Sequence, residues 1–222
     1  MKSAYGLTVP GDLQEMCAPD RAAIIVYDMQ AAIVPQIADG QLIVRGCQQL
    51  LAAARSSGYR IFYTRHIFLS NASAGVGQFR RAMVWQRKDN PMDTKPLFTA
   101  TSPASKIVPE LAATENDVVI EKITMSAFEG TYLDIALRDA NLMAFIIVGI
   151  ALEVGIEPTI RHGLDLNYIP ILVSDLCGAK TEEARLRSLA NLRATGEVIE
   201  TSSSALIPLL ARAPRRSGSE TQ

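Results

Sequence analysis

Short apolar runs alternate with longer stretches of helical period along most of the chain. Arg21–Asp28 (RAAIIVYD) is a continuous apolar run closed by a carboxylate, the pattern of a strand buried on both faces of a parallel sheet. Five more runs predict strands: Tyr59–Thr64 (YRIFYT), Asp117–Glu121 (DVVIE), Met143–Gly149 (MAFIIVG), Tyr168–Ser174 (YIPILVS) and the short Val198–Thr201. Between them, Gln41–Ser57 sets Ile43, Cys47, Leu50, Leu51 and Ala54 at helical spacing, and Gly58 supplies the stop. Glu129–Ala140, Glu182–Ala194 and Ser203–Ala211 also read as helices, with shorter ones predicted over Ser105–Ala113 and near Gln78–Arg87. A further helix opens around Gly155, turning Ile156, Ile160 and Leu164 to the core and tolerating Pro158 in its first turn. Strands separated by helices predict an α/β fold: a doubly wound, mostly parallel six-stranded sheet with helices on both faces. Right-handed crossovers then gather all strand carboxyl ends along one edge, where the ligand crevice of such sheets lies.

Composition narrows the partners. The 222 residues suit a single domain, with the polar end of the chain, 213–222, expected to be a flexible tail. A net charge of −1 with balanced acids and bases excludes the clustered basic face of a nucleic-acid binder. No apolar run approaches the roughly 18 residues of a membrane span, and no basic stretch leads into an apolar core at the start, so a cytoplasmic protein is expected. Three cysteines without C-x-x-C spacing argue against a disulfide framework and a zinc site, and two isolated histidines argue against a metal. A small-molecule substrate, with no cofactor and no metal, is the expectation.

Candidate chemistry falls at the predicted carboxyl ends. Asp28 closes the first strand in Val26-Tyr27-Asp28-Met29-Gln30, and Lys122 follows the third. The fourth runs into Gly149-Ile150-Ala151-Leu152-Glu153-Val154-Gly155-Ile156-Glu157-Pro158-Thr159. His66 follows the second strand at the same edge. The long connection 65–101, with Gly75, Gly77, Pro91 and Pro96, is of the kind that carries function.

A strand ending in Asp28-Met29-Gln30, a later strand followed by Lys122, and the segment Gly149 to Thr159, in this order, resemble the isochorismatase-like cysteine hydrolase superfamily from about Arg21 to Leu210. In amide-cleaving members the aspartate and lysine assist a cysteine at the start of the helix after the fourth strand. Asp28 and Lys122 match, but the cysteine position falls on Gly155, and Gly155 can form no acyl-enzyme. The isochorismatases proper also carry glycine there and hydrolyse a vinyl ether without a covalent intermediate. The resemblance therefore implies a small carboxylated substrate, with Asp28 as the acid, Lys122 orienting the substrate carboxylate or the aspartate, and Gly155 leaving room for the enolpyruvyl group. It further implies that Gln78, Arg81 and Trp85 bind substrate and that Ala151 lines the site beside a cis Ile150–Ala151 peptide. Phe128, with Trp85, is expected in an apolar lid. A homo-oligomer, dimer or tetramer, is also implied. Two other functions stay open: a cysteine-free C–N hydrolase acting on an amide, ureide or imide through water activated by Asp28 or Glu153, and a catalytically silent binding or scaffold subunit.

Overall fold

A computed structural model describes residues 1–214, so most of the expected flexible tail lies outside the described residues. A short antiparallel hairpin, β1 (Lys2–Ala4) and β2 (Leu7–Val9), and one turn of helix, α1 (Leu13–Met16), precede the main sheet. The six expected strands follow: β3 (Ala22–Tyr27), β4 (Ile61–His66), β5 (Val118–Lys122), β6 (Ala144–Ile150), β7 (Ile169–Gly178) and β8 (Ile199–Thr201). They pair in the order β5-β4-β3-β6-β7-β8, every pair parallel. The fold is thus the doubly wound α/β sheet that the alternating pattern predicts.

Side chains of β3 alternate between two cores, as the pleat requires. Ala22, Ile24 and Val26 pack with Ile43, Leu50 and Leu51 of α2 (Gly40–Ser56) and Leu206 and Leu210 of α7 (Ser203–Arg212). Ala23, Ile25 and Tyr27 face the opposite layer. That layer is Leu133 and Leu137 of α4 (Leu133–Asp139), Ile160 of α5 (Glu157–Asp165) and Leu189 and Leu192 of α6 (Glu182–Thr195). A smaller cluster of Phe68, Ala82 and Phe98 ties α3 (Val76–Gln86) over the carboxyl edge.

Three predicted helices change form. Ser105–Ala113 is a pair of 3-10 turns, Pro103–Ser105 and Pro109–Leu111. Each begins at a proline whose preceding residue, Ser102 or Val108, is extended, because the ring excludes helical backbone there. The Glu129–Ala140 helix starts only at Leu133, since Gly130 takes φ +70° and delays it. The helix expected to open around Gly155 begins with a π-turn, Leu152–Ile156, before α5.

Chain order reverses between β3 and β6: β4 and β5 lie on one side of β3, and β6, β7 and β8 on the other. The carboxyl ends of those two strands therefore part and leave a crevice.

Candidate active site

Four neighbouring strands each deliver one residue to this edge. Lys122 ends β5, His66 ends β4, Asp28 follows β3 and Ala151 follows β6. Gly149 sits at φ +129° against the β3 backbone, and a Cβ there would strike the Tyr27 carbonyl oxygen, so only glycine lets β6 lie this close. The next peptide, Ile150–Ala151, is cis, as the resemblance implied. Asp28 takes φ +46°, a left-handed conformation that aspartate tolerates better than most residues.

The charges meet. Lys122 Nζ donates to Asp28 Oδ2 at 2.7 Å, to Tyr27 Oη at 2.8 Å and to the Thr124 carbonyl at 3.1 Å. An ammonium has three protons, so all of its donors are committed within the protein. Burial draws the Lys122 pKa down, while the Asp28 charge and its hydrogen bond oppose that shift. On the other side of the carboxylate, the Asp28 backbone N–H donates to Thr64 Oγ1 at 3.1 Å, and that hydroxyl donates to Asp28 Oδ1 at 2.6 Å. Both carboxylate oxygens of Asp28 are therefore hydrogen-bond acceptors.

A cavity of about 470 Å³ opens over this edge. Tyr27, Asp28, His66, Trp85, Ala151 and Glu153 line it, with Ile33, Ile37, Leu97, Phe98 and Val154 as apolar wall. Glu153 accepts the Lys180 N–H through Oε1 at 3.0 Å, and its Oε2 is buried with no protein partner among the described residues. His66 Nε2 is likewise buried and unpartnered. Its ring lies between Phe68 and Trp85, with centroids 5.5 and 5.8 Å away.

Burial and the Lys122 charge push the His66 imidazole down to about 4. The unfolded chain binds this proton below about 6.5, whereas the folded protein refuses it until about 4. Between those values the unfolded state holds more protons, so stability falls as pH falls, by up to about 3 kcal/mol across the window. Urea unfolding at pH 7 and pH 4.5 should show a smaller loss for His66→Gln than for the wild type. Equal losses would mean that His66 is not buried neutral.

The other expected site residues divide. Trp85 and Ala151 line the cavity. Gln78 and Arg81 do not. The Gln78 side chain holds both the N–H and the carbonyl of Leu69 at 2.8 Å, bracing a loop. Arg81 donates to the Ile123 carbonyl at 2.8 Å and lies 5.9 Å from the Trp85 ring, so it steadies the roof from outside. Phe128 belongs to the buried layer behind the sheet, stacked on Tyr168 at 5.5 Å and edge-on to Phe145. It is core and not lid, because the Thr124–Thr131 loop turns it inward over α5. Gly155 offers no open room either: an ideal Cβ there falls far inside van der Waals contact with Tyr27 Oη. The Gly155 and Ile156 N–H groups both bond the Ala151 carbonyl, at 3.0 and 3.2 Å, so neither is free to hold an oxyanion.

None of the three cysteines lines the cavity. All are buried, and burial pushes the Cys177 thiol, which points at the Ile147 carbonyl, well above its ordinary value. Tyr27 is the residue that sequence reasoning missed. It reads as one more apolar strand position, and the only signal was an aromatic residue directly before Asp28.

Comparison with known proteins bears on the family and the fold. A family model described as the isochorismatase domain matches residues 22–203. The ureidoacrylate amidohydrolase RutB of Acinetobacter baylyi is 28% identical over 176 residues, covering 72% of this chain and 71% of that protein. The isochorismatase family protein YecD of Escherichia coli O157:H7 is 28% identical over 182 residues, 77% of this chain and 86% of its own. The crystal structure of a cysteine hydrolase from Pseudomonas syringae pv. phaseolicola matches with a TM-score of 0.75 and 27% identity, covering 88% of this chain and 94% of that one. Since the domain match runs from the first strand of the main sheet to the start of its last helix, the chain belongs to the isochorismatase family.

Proposed function

We propose that this hydrolase cleaves a C–N bond in a small amide or ureido compound, using water activated by Asp28 in place of a protein nucleophile. The observation that carries the reading is the hydrogen bonding of Asp28. Thr64 and Lys122 both donate to its carboxylate, so the resting site presents fixed acceptor oxygens, and the proton Asp28 later gives is the one it takes from water. Water at the cavity face of Asp28 loses a proton to it as the oxygen attacks the substrate carbonyl. The proton then passes to the departing nitrogen, giving an acid or carbamate and an amine. Lys122 keeps the carboxylate oriented throughout and contacts no substrate, since its three protons are committed.

The cavity supports the same substrate class. Glu153 Oε2 is a buried acceptor without a partner, and an acceptor-only atom calls for a donor such as an amide or ureido N–H. The vinyl ether group brings no such donor, and its cleavage starts from a proton delivered to carbon, whereas both Asp28 oxygens here accept hydrogen bonds from Thr64 and Lys122. A carboxylate on the substrate has Lys180 as its cation on the cavity wall. The likeness to a ureidoacrylate amidohydrolase favours C–N cleavage as well.

The test is a panel of amides, ureides and vinyl ethers including isochorismate, followed by amine or ammonia release and by pyruvate release. Amine release that persists after treatment with iodoacetamide is the expected result. Pyruvate release alone, or loss of all turnover on alkylation, overturns the reading.

A further inference from the structure

We infer that the phenol of Tyr27 stands in for a side chain at position 155: its oxygen fills the place of a γ atom there and serves as the fixed polar group that seats Lys122 against Asp28. Tyr27 is then a positioning residue, and positions 27 and 155 form one coupled unit. The catalytic part of this inference rests on the hydrolytic reading above; the coupling does not.

Three observations carry it. The first is steric. A Cβ built on Gly155 meets Oη, Cζ and Cε1 of Tyr27 before any other atom, all far inside van der Waals contact. Gly155 has no positive φ, so its backbone does not demand glycine; the phenol does. The second is polar. Tyr27 Oη is held between two partners, accepting from Lys122 Nζ at 2.8 Å and donating its single proton to the Met125 carbonyl. The direction follows from chemistry, because an ammonium can only donate and a carbonyl can only accept. The third is confinement. Tyr27 is 2% exposed, Lys122 Nζ lies 4.3 Å from its ring centroid, and the ring belongs to the layer of Phe145, Leu152 and Ile156. A ring pinned at its tip and along its body cannot swing aside to admit a side chain at 155.

The consequence is a site with its reactive geometry redistributed. The polar atom that completes the ammonium's shell comes from the central strand and not from the helix start. It is a neutral hydroxyl that burial drives still further from ionisation. The Tyr27 oxygen is thus built to hold a proton in place.

The coupling is tested without any substrate. Gly155→Cys alone should lower Tm by about 5 °C or more, as overpacking of a filled site does. Tyr27→Val/Gly155→Cys should regain most of that loss relative to Tyr27→Val, because the smaller residue vacates the γ position. The introduced thiol in the double variant should then react with iodoacetamide at a pH midpoint below the ordinary thiol value of about 8.5, since it stands where Lys122 donates. Tyr27→Phe/Gly155→Cys should stay as destabilised as Gly155→Cys, because the ring carbons still collide. The inference is overturned if Gly155→Cys folds with unchanged Tm, if the two substitutions are additive in Tm, or if the thiol titrates at the ordinary value. Each of these leaves the hydrolytic reading standing, whereas failure of the substrate panel leaves the coupling standing.

The positioning role has its own readout. Tyr27→Phe removes one acceptor from the ammonium and should move the alkaline limb of kcat/KM to lower pH, with KM unchanged. A uniform loss of activity with an unmoved profile assigns the phenol a packing role only and overturns the positioning claim.

Discussion

Asp28→Asn should lower kcat/KM for the amide or ureido substrate by about 10³-fold, within the usual range for a general base. Asparagine keeps the size and planarity of the side chain, so the cavity retains its shape. It replaces one acceptor oxygen by an amide nitrogen that cannot take a proton from water. The Thr64 bond survives if the remaining oxygen faces that hydroxyl, and the nitrogen then points its donors at the Lys122 ammonium, which has no lone pair to accept them. The loss should therefore fall on kcat more than on KM, because water activation is missing while the cavity walls that hold substrate are intact. Steady-state kinetics on folded protein, checked by circular dichroism, decide the matter. Retention of activity within tenfold of the wild type would remove Asp28 from the reaction.

The second large effect is on stability. Lys122→Met should destabilise the fold by about 3–5 kcal/mol, the cost of breaking a buried pair from one side. The Lys122 side chain is wholly buried and its Asp28 partner is 7% exposed, so little solvent screens the charge left behind. Tyr27 Oη loses a donor and the Thr124 carbonyl loses another in the same step. At this chain length the loss corresponds to a fall in Tm of roughly 6–20 °C. Adding Asp28→Leu to Lys122→Met should recover much of it, since replacing both ions by apolar groups of similar volume is often neutral. Urea unfolding of the single and double variants measures both numbers. A single-variant loss below about 1 kcal/mol would show that the ion pair is not formed in solution.

These two residues illustrate what a linear reading reaches. Asp28 and Lys122 sit at the carboxyl ends of predicted strands, and parallel strands present those ends on one edge, so their shared edge follows from pattern, while their pairing was implied by the family resemblance. The doubly wound sheet is legible for the same reason: each strand is short, apolar and separated from the next by a helical stretch. Legibility fades in the 65–131 region. Gln78, Arg81 and Phe128 have the residue types of substrate ligands, but their targets, the Leu69 backbone, the Ile123 carbonyl and Tyr168, are set by loop paths that no periodicity encodes. Ser105–Ala113 fails as a helix because Pro103 and Pro109 break it into separate turns, a local effect that the apolar spacing concealed.

The chain's own letters determined the layered fold, the edge on which chemistry gathers and the absence of a side chain at Gly155, because these follow from hydrophobic period and residue identity. Only the tertiary structure decided what fills the space beside Gly155. Positions 27 and 155 lie far apart in the chain and become neighbours only when β3 and β6 pair, and a phenol at a strand end shows its polar use only when Lys122 and Met125 close around it. Hydrogen-bond saturation of an ammonium is likewise a property of separate segments brought to one point, and of the two roles that the sequence left open for Lys122 it favours orienting Asp28 over holding a substrate carboxylate.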